Sequence, residues 1–149
     1  MRFMMLVIPK DYGSAKPGTM PDPNGVAKMM KFNEELQKSG ALIALDGLHP
    51  PAMGSRVTFT MGKPPVVTDG PFPESKEVLG GYWMLRLKDK AEAIAWARRC
   101  PMMHDCIIEI RQVQELEDFK DKAFEQEGLT DKFKELKGKL EGHKSEGKR

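Results

Sequence analysis

Residues 2–8, Arg-Phe-Met-Met-Leu-Val-Ile, restrict the fold of this chain more than any other segment. In an extended strand Phe3, Met5 and Val7 point to one side and Met4, Leu6 and Ile8 to the other, because successive side chains alternate. Both sides are apolar, so a sheet containing this strand needs cover on both faces. A chain of 149 residues supplies one core of ordinary size and not two full ones. The longest apolar run, Met4 to Ile8, is far too short to cross a bilayer, and the segment before Pro9-Lys10-Asp11 lacks a small-residue cleavage site. A strand is therefore expected there, not a signal peptide, in a soluble, cytoplasmic protein.

Further along, residues 9–23 form a loop rich in proline and glycine. A helix follows, with Asn24 as its cap and Val26, Met29, Met30, Phe32 and Leu36 at helical spacing, stopping at Gly40. Ala41 to Leu45 is a short strand ended by Asp46-Gly47 and Pro50-Pro51. Arg56 to Met61 alternates, with Val57, Phe59 and Met61 on one side, and predicts a half-buried strand paired through the Gly62-Lys63-Pro64 turn with Val66 to Thr68. The loop 69–81 leads into a strand from Tyr82 to Leu87. A second helix over 89–99 carries Asp89 as cap with Glu92 in a capping box, and Cys106 to Val113 is the last strand.

This order is the βαββαβ outline of a ferredoxin-like α+β sandwich with an added hairpin. Both helices would lie on one sheet face, so the second apolar face of residues 2–8 predicts a homodimer packed sheet on sheet. Residues 114–149 read as a separate charged extension, with 9 basic and 10 acidic groups and a helix at about 130–141 carrying Phe133, Leu136 and Leu140. The main domain is 1–113.

Composition removes several function classes. The formal net charge is +2, and excess basic charge is not concentrated among aromatic residues, which argues against direct nucleic-acid binding. Two cysteines, Cys100 and Cys106, lack Cys-x-x-Cys spacing and predict reduced thiols and no zinc site. Three dispersed histidines make a metal centre unexpected. Cys100 closes a helix, where the dipole's negative end raises a thiol pKa, so it is expected in the core and not as a nucleophile. Phosphate loops and nucleophile elbows are missing from the sequence.

Candidate site residues gather around Asp69-Gly-Pro-Phe-Pro-Glu-Ser-Lys-Glu77. Asp69 before Gly70 reads as a turn device accepting nearby backbone N–H groups, or as an acid/base group. Gly70 reads as a position of positive φ. Phe72 either anchors the loop in the core, the preferred reading, or lines a pocket. Glu74, Lys76 and Glu77 are candidate contacts to an anionic or amine-bearing ligand. His49, three residues after Asp46, is a candidate general base, since imidazole titrates near neutral pH. His104 and Asp105, beside Met102 and Met103, form a second pair, but neighbours in an extended strand point apart.

The loop 69–77, followed by Gly80-Gly81-Tyr82-Trp83, resembles the DGPF or YCII-related family. Gly47-Leu48-x-Pro50, Ala93-Ile94-x-Trp96-Ala97, Cys100-Pro101 and Ile108-Glu109-Ile110-Arg111 support the resemblance over residues 1–113. It implies a dimeric α+β barrel, no tightly bound cofactor, an unknown small-molecule ligand near the loop, or a non-catalytic interaction domain linked to sigma-factor-dependent transcription. A His-Asp pair suggested for relatives does not carry over, because Asn24 to Ser39 contains no histidine.

Overall fold

The computed structural model describes residues 1–102, 104–119 and 128–146, with side chains through residue 140; Met103 and the His143 side chain lie outside the described residues. Contacts divide the chain into two compact units, Met1–Val113 and Gln114–Arg149.

In the first unit, β1 (Arg2–Pro9), α1 (Pro23–Lys38), β2 (Leu42–Gly47), β3 (Ser55–Thr58), β4 (Val66–Asp69), β5 (Gly81–Arg86), α2 (Lys90–Arg98) and β6 (Cys106–Gln112) follow in order. The architecture is α+β. Four strands form one antiparallel sheet in the order β2-β5-β1-β6, with β1 central, and β3 and β4 form a separate two-stranded sheet.

Register explains why β1 is apolar on both sides. Phe3 lies opposite Leu85, and Met5 opposite Trp83 and Ile110, so these side chains share a face. On that face α1 contributes Phe32 and Leu36, and α2 contributes Ala93, completing one core cluster with Ala41 and Leu87. Phe3, Met5, Leu36 and Leu85 are its fully buried large side chains. Phe32 meets the rings of Trp83 and Trp96 edge-on at 5.8 and 6.0 Å, a favoured aromatic geometry. Trp83 satisfies its indole N–H on Asn33 Oδ1 at 2.8 Å. The opposite face carries Met4 opposite Met84 and Leu6 opposite Tyr82, all only partly buried.

Several expectations are corrected. The α1 cap is Asp22, accepting from Gly25 N at 2.8 Å, with Pro23 and not Asn24 opening the helix; proline suits the first helical position, where its missing N–H costs nothing. Asp89 caps α2 by accepting from Glu92 N, but Glu92 reaches back to Lys88 N rather than to the cap residue. The strand expected over 56–61 ends at Thr58 and is exposed throughout, because it pairs with β4 alone and neither face meets the core. Within one chain the sheet has two free edges, β2 and β6, and does not close.

The second unit contains a 3-10 turn, Leu116–Asp118, and α3 (Leu129–Glu146), longer than the predicted 130–141 helix. Phe133 packs its ring 6.3 Å from Phe119, while Leu136 and Leu140 remain more than half exposed. Among the described residues no helix is long and apolar enough to cross a membrane.

Candidate functional site

Two loops meet beside the end of β1. The first opens at Asp11, whose φ of 61° is left-handed, and turns through a 3-10 turn at Tyr12–Ser14. Ser14 fixes it by donating its N–H and hydroxyl to Asp11 O at 3.2 and 2.9 Å. Tyr12 donates its hydroxyl to Leu48 O at 2.7 Å, which ties this loop to the segment after β2. At Gly13 a β-carbon would stand 3.3 Å from Val78 Cγ2 and 3.5 Å from Ser75 O, so the first loop lies directly on the second.

The second loop is residues 69–77. Gly70 donates its N–H to Gly54 O at 2.8 Å, and the Gly70-Pro71 peptide is cis. A β-carbon on Gly70 would fall 1.7 Å from Pro51 O. Close backbone approach, not the expected positive φ, therefore requires glycine here. The 51–54 segment and the 69–77 loop, distant in sequence, are packed together at this point.

Phe72 does not join the core. Its ring carries the Arg56 guanidinium 3.9 Å above its centroid, and Arg56 Nη2 also donates to Ser75 Oγ. Stacking and hydrogen bond together hold the guanidinium in one place. Phe72 thus becomes a wall between two concavities. On one side is a cleft of about 660 Å³ between the loops, lined by Asp11, Ser14, Lys16, Ala52, Ser75 and Lys76. On the other is a groove of about 580 Å³ lined by His49, Met53, Arg56 and Glu77, with Leu48 and Leu79 among its apolar walls.

The three acid/base candidates go to three places. Asp69 accepts from the Ser55 hydroxyl at 2.6 Å, across the hairpin from its register partner; a side-chain hydroxyl fills the role expected of backbone N–H groups. Asp46 accepts from Tyr82 Oη at 2.8 Å on the face opposite the core. That bond keeps the proton on the phenol and raises the Tyr82 pKa above its ordinary value. His49 lines the groove, and among the described residues no hydrogen bond or ion pair joins it to Asp46 or Asp69. Of the ligand candidates, Lys76 lines the cleft, Glu77 the groove, and exposed Glu74 neither. His104 and Asp105 lie in a bend before β6 and not in the expected strand: Asp105 pairs with Lys10 at 3.6 Å, and His104 lines a small hollow with Met29 and Met102. Among the described residues no three His, Cys, Asp or Glu side chains gather as a metal-holding group.

Cys100 is pushed up to about 12, first by burial and then by the nearby Cys106 thiol, which is also raised by burial. The direction agrees with the sequence reading, but desolvation, not the helix dipole, is the cause. Sequence reasoning missed Arg56, Ser75, Tyr12, Ser55 and Tyr82. Arg56 was visible only as a polar member of an alternating strand, and no spacing rule connects it to residues 72 and 75.

The domain model described as YCII-related matches residues 1–117. No match is found among curated proteins.

Proposed function

The chain belongs to the YCII-related family, and from that premise we propose that it binds or converts a small molecule in the cleft between the 11–17 and 69–77 loops, without a tightly bound cofactor. The observation that carries this reading is the lining of the cleft. Lys16 and Lys76 have no carboxylate partner among the described residues, and they line the cleft together with Asp11, Ser14, Ser75 and Phe72. Its volume of about 660 Å³ falls within the range of small-molecule sites. Two unpaired ammonium groups beside an aromatic surface favour an acid with an apolar body. A thermal-shift screen of small carboxylates and phosphate monoesters tests this. A binder raises the melting temperature in proportion to the logarithm of its concentration, and the response should vanish in Lys16→Gln/Lys76→Gln. The reading fails if no acid shifts the transition, or if the shift survives the double substitution.

The same reading makes the protein a cytoplasmic homodimer of ferredoxin-like sandwiches. The strand order β2-β5-β1-β6, with both helices contributing to one core face, supports the sandwich. Met4, Leu6, Tyr82 and Met84 on the other face support the dimer, since two such sheets packed together would complete a barrel. Leu6→Asp should give a monomer by light scattering while the helix-covered core stays folded. A second reading, a protein-interaction domain such as one serving sigma-factor-dependent transcription, draws on the hairpin, where Phe59 and Met61 are 78% and 98% exposed.

A further inference from the structure

The groove beyond Phe72 differs in chemistry from the cleft. Its fixed cation is Arg56, whose guanidinium is held over the Phe72 ring and against Ser75. A guanidinium has five N–H donors, and Ser75 engages one nitrogen, so most of the fork is free. Arg56 has no carboxylate partner among the described residues. Glu77 lines the same groove and likewise has no hydrogen bond or ion pair among the described residues. Two opposite charges therefore share one concavity without pairing. Arg56 is kept on the ring side, where its planar fork can meet a carboxylate edge-on with two parallel hydrogen bonds. The same groove has apolar walls, among them Leu48, Met53 and Leu79.

A fixed cation, a free carboxylate and an apolar wall are the complement of a zwitterion with an apolar side chain. We propose that this groove binds an α-amino acid of that kind, with its carboxylate on Arg56, its ammonium on Glu77 and its side chain against Leu48, Met53 and Leu79. Ser75, which lines the cleft, also anchors Arg56, but no charged residue lines both sites, and the proposal does not depend on the reading given for the cleft.

Isothermal titration of the full chain with L-leucine tests the proposal, with leucinamide and 4-methylpentanoate as probes lacking one charge each. Leucine should bind, and each analogue should bind about tenfold more weakly or worse, since each loses a charged hydrogen-bonding partner. Glu77→Gln should reduce leucine affinity to that of 4-methylpentanoate and leave 4-methylpentanoate itself unchanged. Arg56→Lys, which keeps the charge and loses the fork, should weaken leucine and spare leucinamide. Circular dichroism confirms that each variant is folded, and Glu77→Gln keeps the test decisive if an Arg56 variant is not. The proposal is overturned if leucine fails to bind at millimolar concentration, or if leucine and its two analogues bind alike. It is overturned equally if Glu77→Gln changes nothing. None of these results would alter the response of the cleft to acids through Lys16 and Lys76.

Discussion

The central sheet and the hairpin are written in similar residues and meet opposite fates. In β5, Gly81, Trp83 and Leu85 are buried in alternation with more exposed neighbours. In the hairpin, Val57, Val66 and Val67 lie on equally regular strands, and all three are at least half exposed. Alternation states that one face of a strand is apolar; it does not state that the chain carries anything to lay on that face. For the sheet, α1 and α2 provide the cover. For the hairpin nothing in the described residues does, and a two-stranded ribbon in water is marginal by itself.

The largest test of this contrast is removal of an apolar side chain from each region. Leu85 is fully buried in the core cluster, so Leu85→Ala should cost about 2–5 kcal/mol by urea denaturation, through lost burial and the cavity left behind. Val67→Ala, at 65% exposure, should fall within about 0.5 kcal/mol at high dilution. Equal costs at the two positions would mean that the hairpin is covered within its own chain.

Gly70→Ala probes the seam between the hairpin and the body. Its β-carbon would overlap Pro51 O, a backbone atom that cannot swing away as a side-chain tip can. A cost of about 1–3 kcal/mol is expected, as for overpacking in a core. The Arg56–Phe72 stack lies just beyond the seam, so the NMR signature of the 69–77 loop should change as well. A neutral outcome would show that the 69–77 loop is free to rise off Pro51.

Cys100 gives a test confined to the packed region. Its thiol ionises near 9 when unfolded and at about 12 when folded. Below pH 9 both states hold the proton and the full stability is present. Above it the unfolded state loses its proton first, so stability falls as pH rises from 9 towards 12. Tyr82 and Cys106 are raised and act in the same direction. The difference in slope between the wild type and Cys100→Ala isolates Cys100, and an unchanged slope would place its sulfur in water.

At the hairpin base, the Ser55 to Asp69 hydrogen bond is exposed and joins register partners. Asp69→Asn keeps an acceptor and should shift stability very little, whereas Asp69→Ala should cost about 1 kcal/mol or less by comparison with lost caps. If Asn costs as much as Ala, the charge itself matters.

These residues also mark how far the sequence could be read. Both helices, the four sheet strands and the hairpin pairing follow from periodicity and turn residues, because those signals are local. Asp22 replaced Asn24 as the α1 cap because two acceptable caps flank Pro23, and proline's preference for the first helical turn decides between them. The 69–77 loop was legible as a site, but its partners were not. Tyr12 reaching Leu48, Gly70 lying on Pro51 and Arg56 stacking on Phe72 are contacts across 16 to 36 residues of sequence with no shared period. The separation of Asp46, His49 and Asp69 has the same origin: Asp46 to His49 is a short step in sequence, yet the edge strand directs Asp46 to Tyr82.

The smallest effect expected in dilute solution is that of Phe59→Ser. Phe59 is 78% exposed and lies just past the end of β3, so its ring stabilises little of the isolated chain. The comparison sharpens when concentration is varied. If a second copy covers the hairpin, folding of the wild type is linked to association, and its melting temperature rises with protein concentration. Phe59→Ser should then flatten that dependence without lowering the melting temperature measured at high dilution. Loss at high dilution would instead assign the ring to the chain's own core, where no described contact places it. A dependence equal to that of the wild type would turn attention from the Phe59 ring to the partly buried face of Met4, Leu6 and Met84 as the surface for self-association.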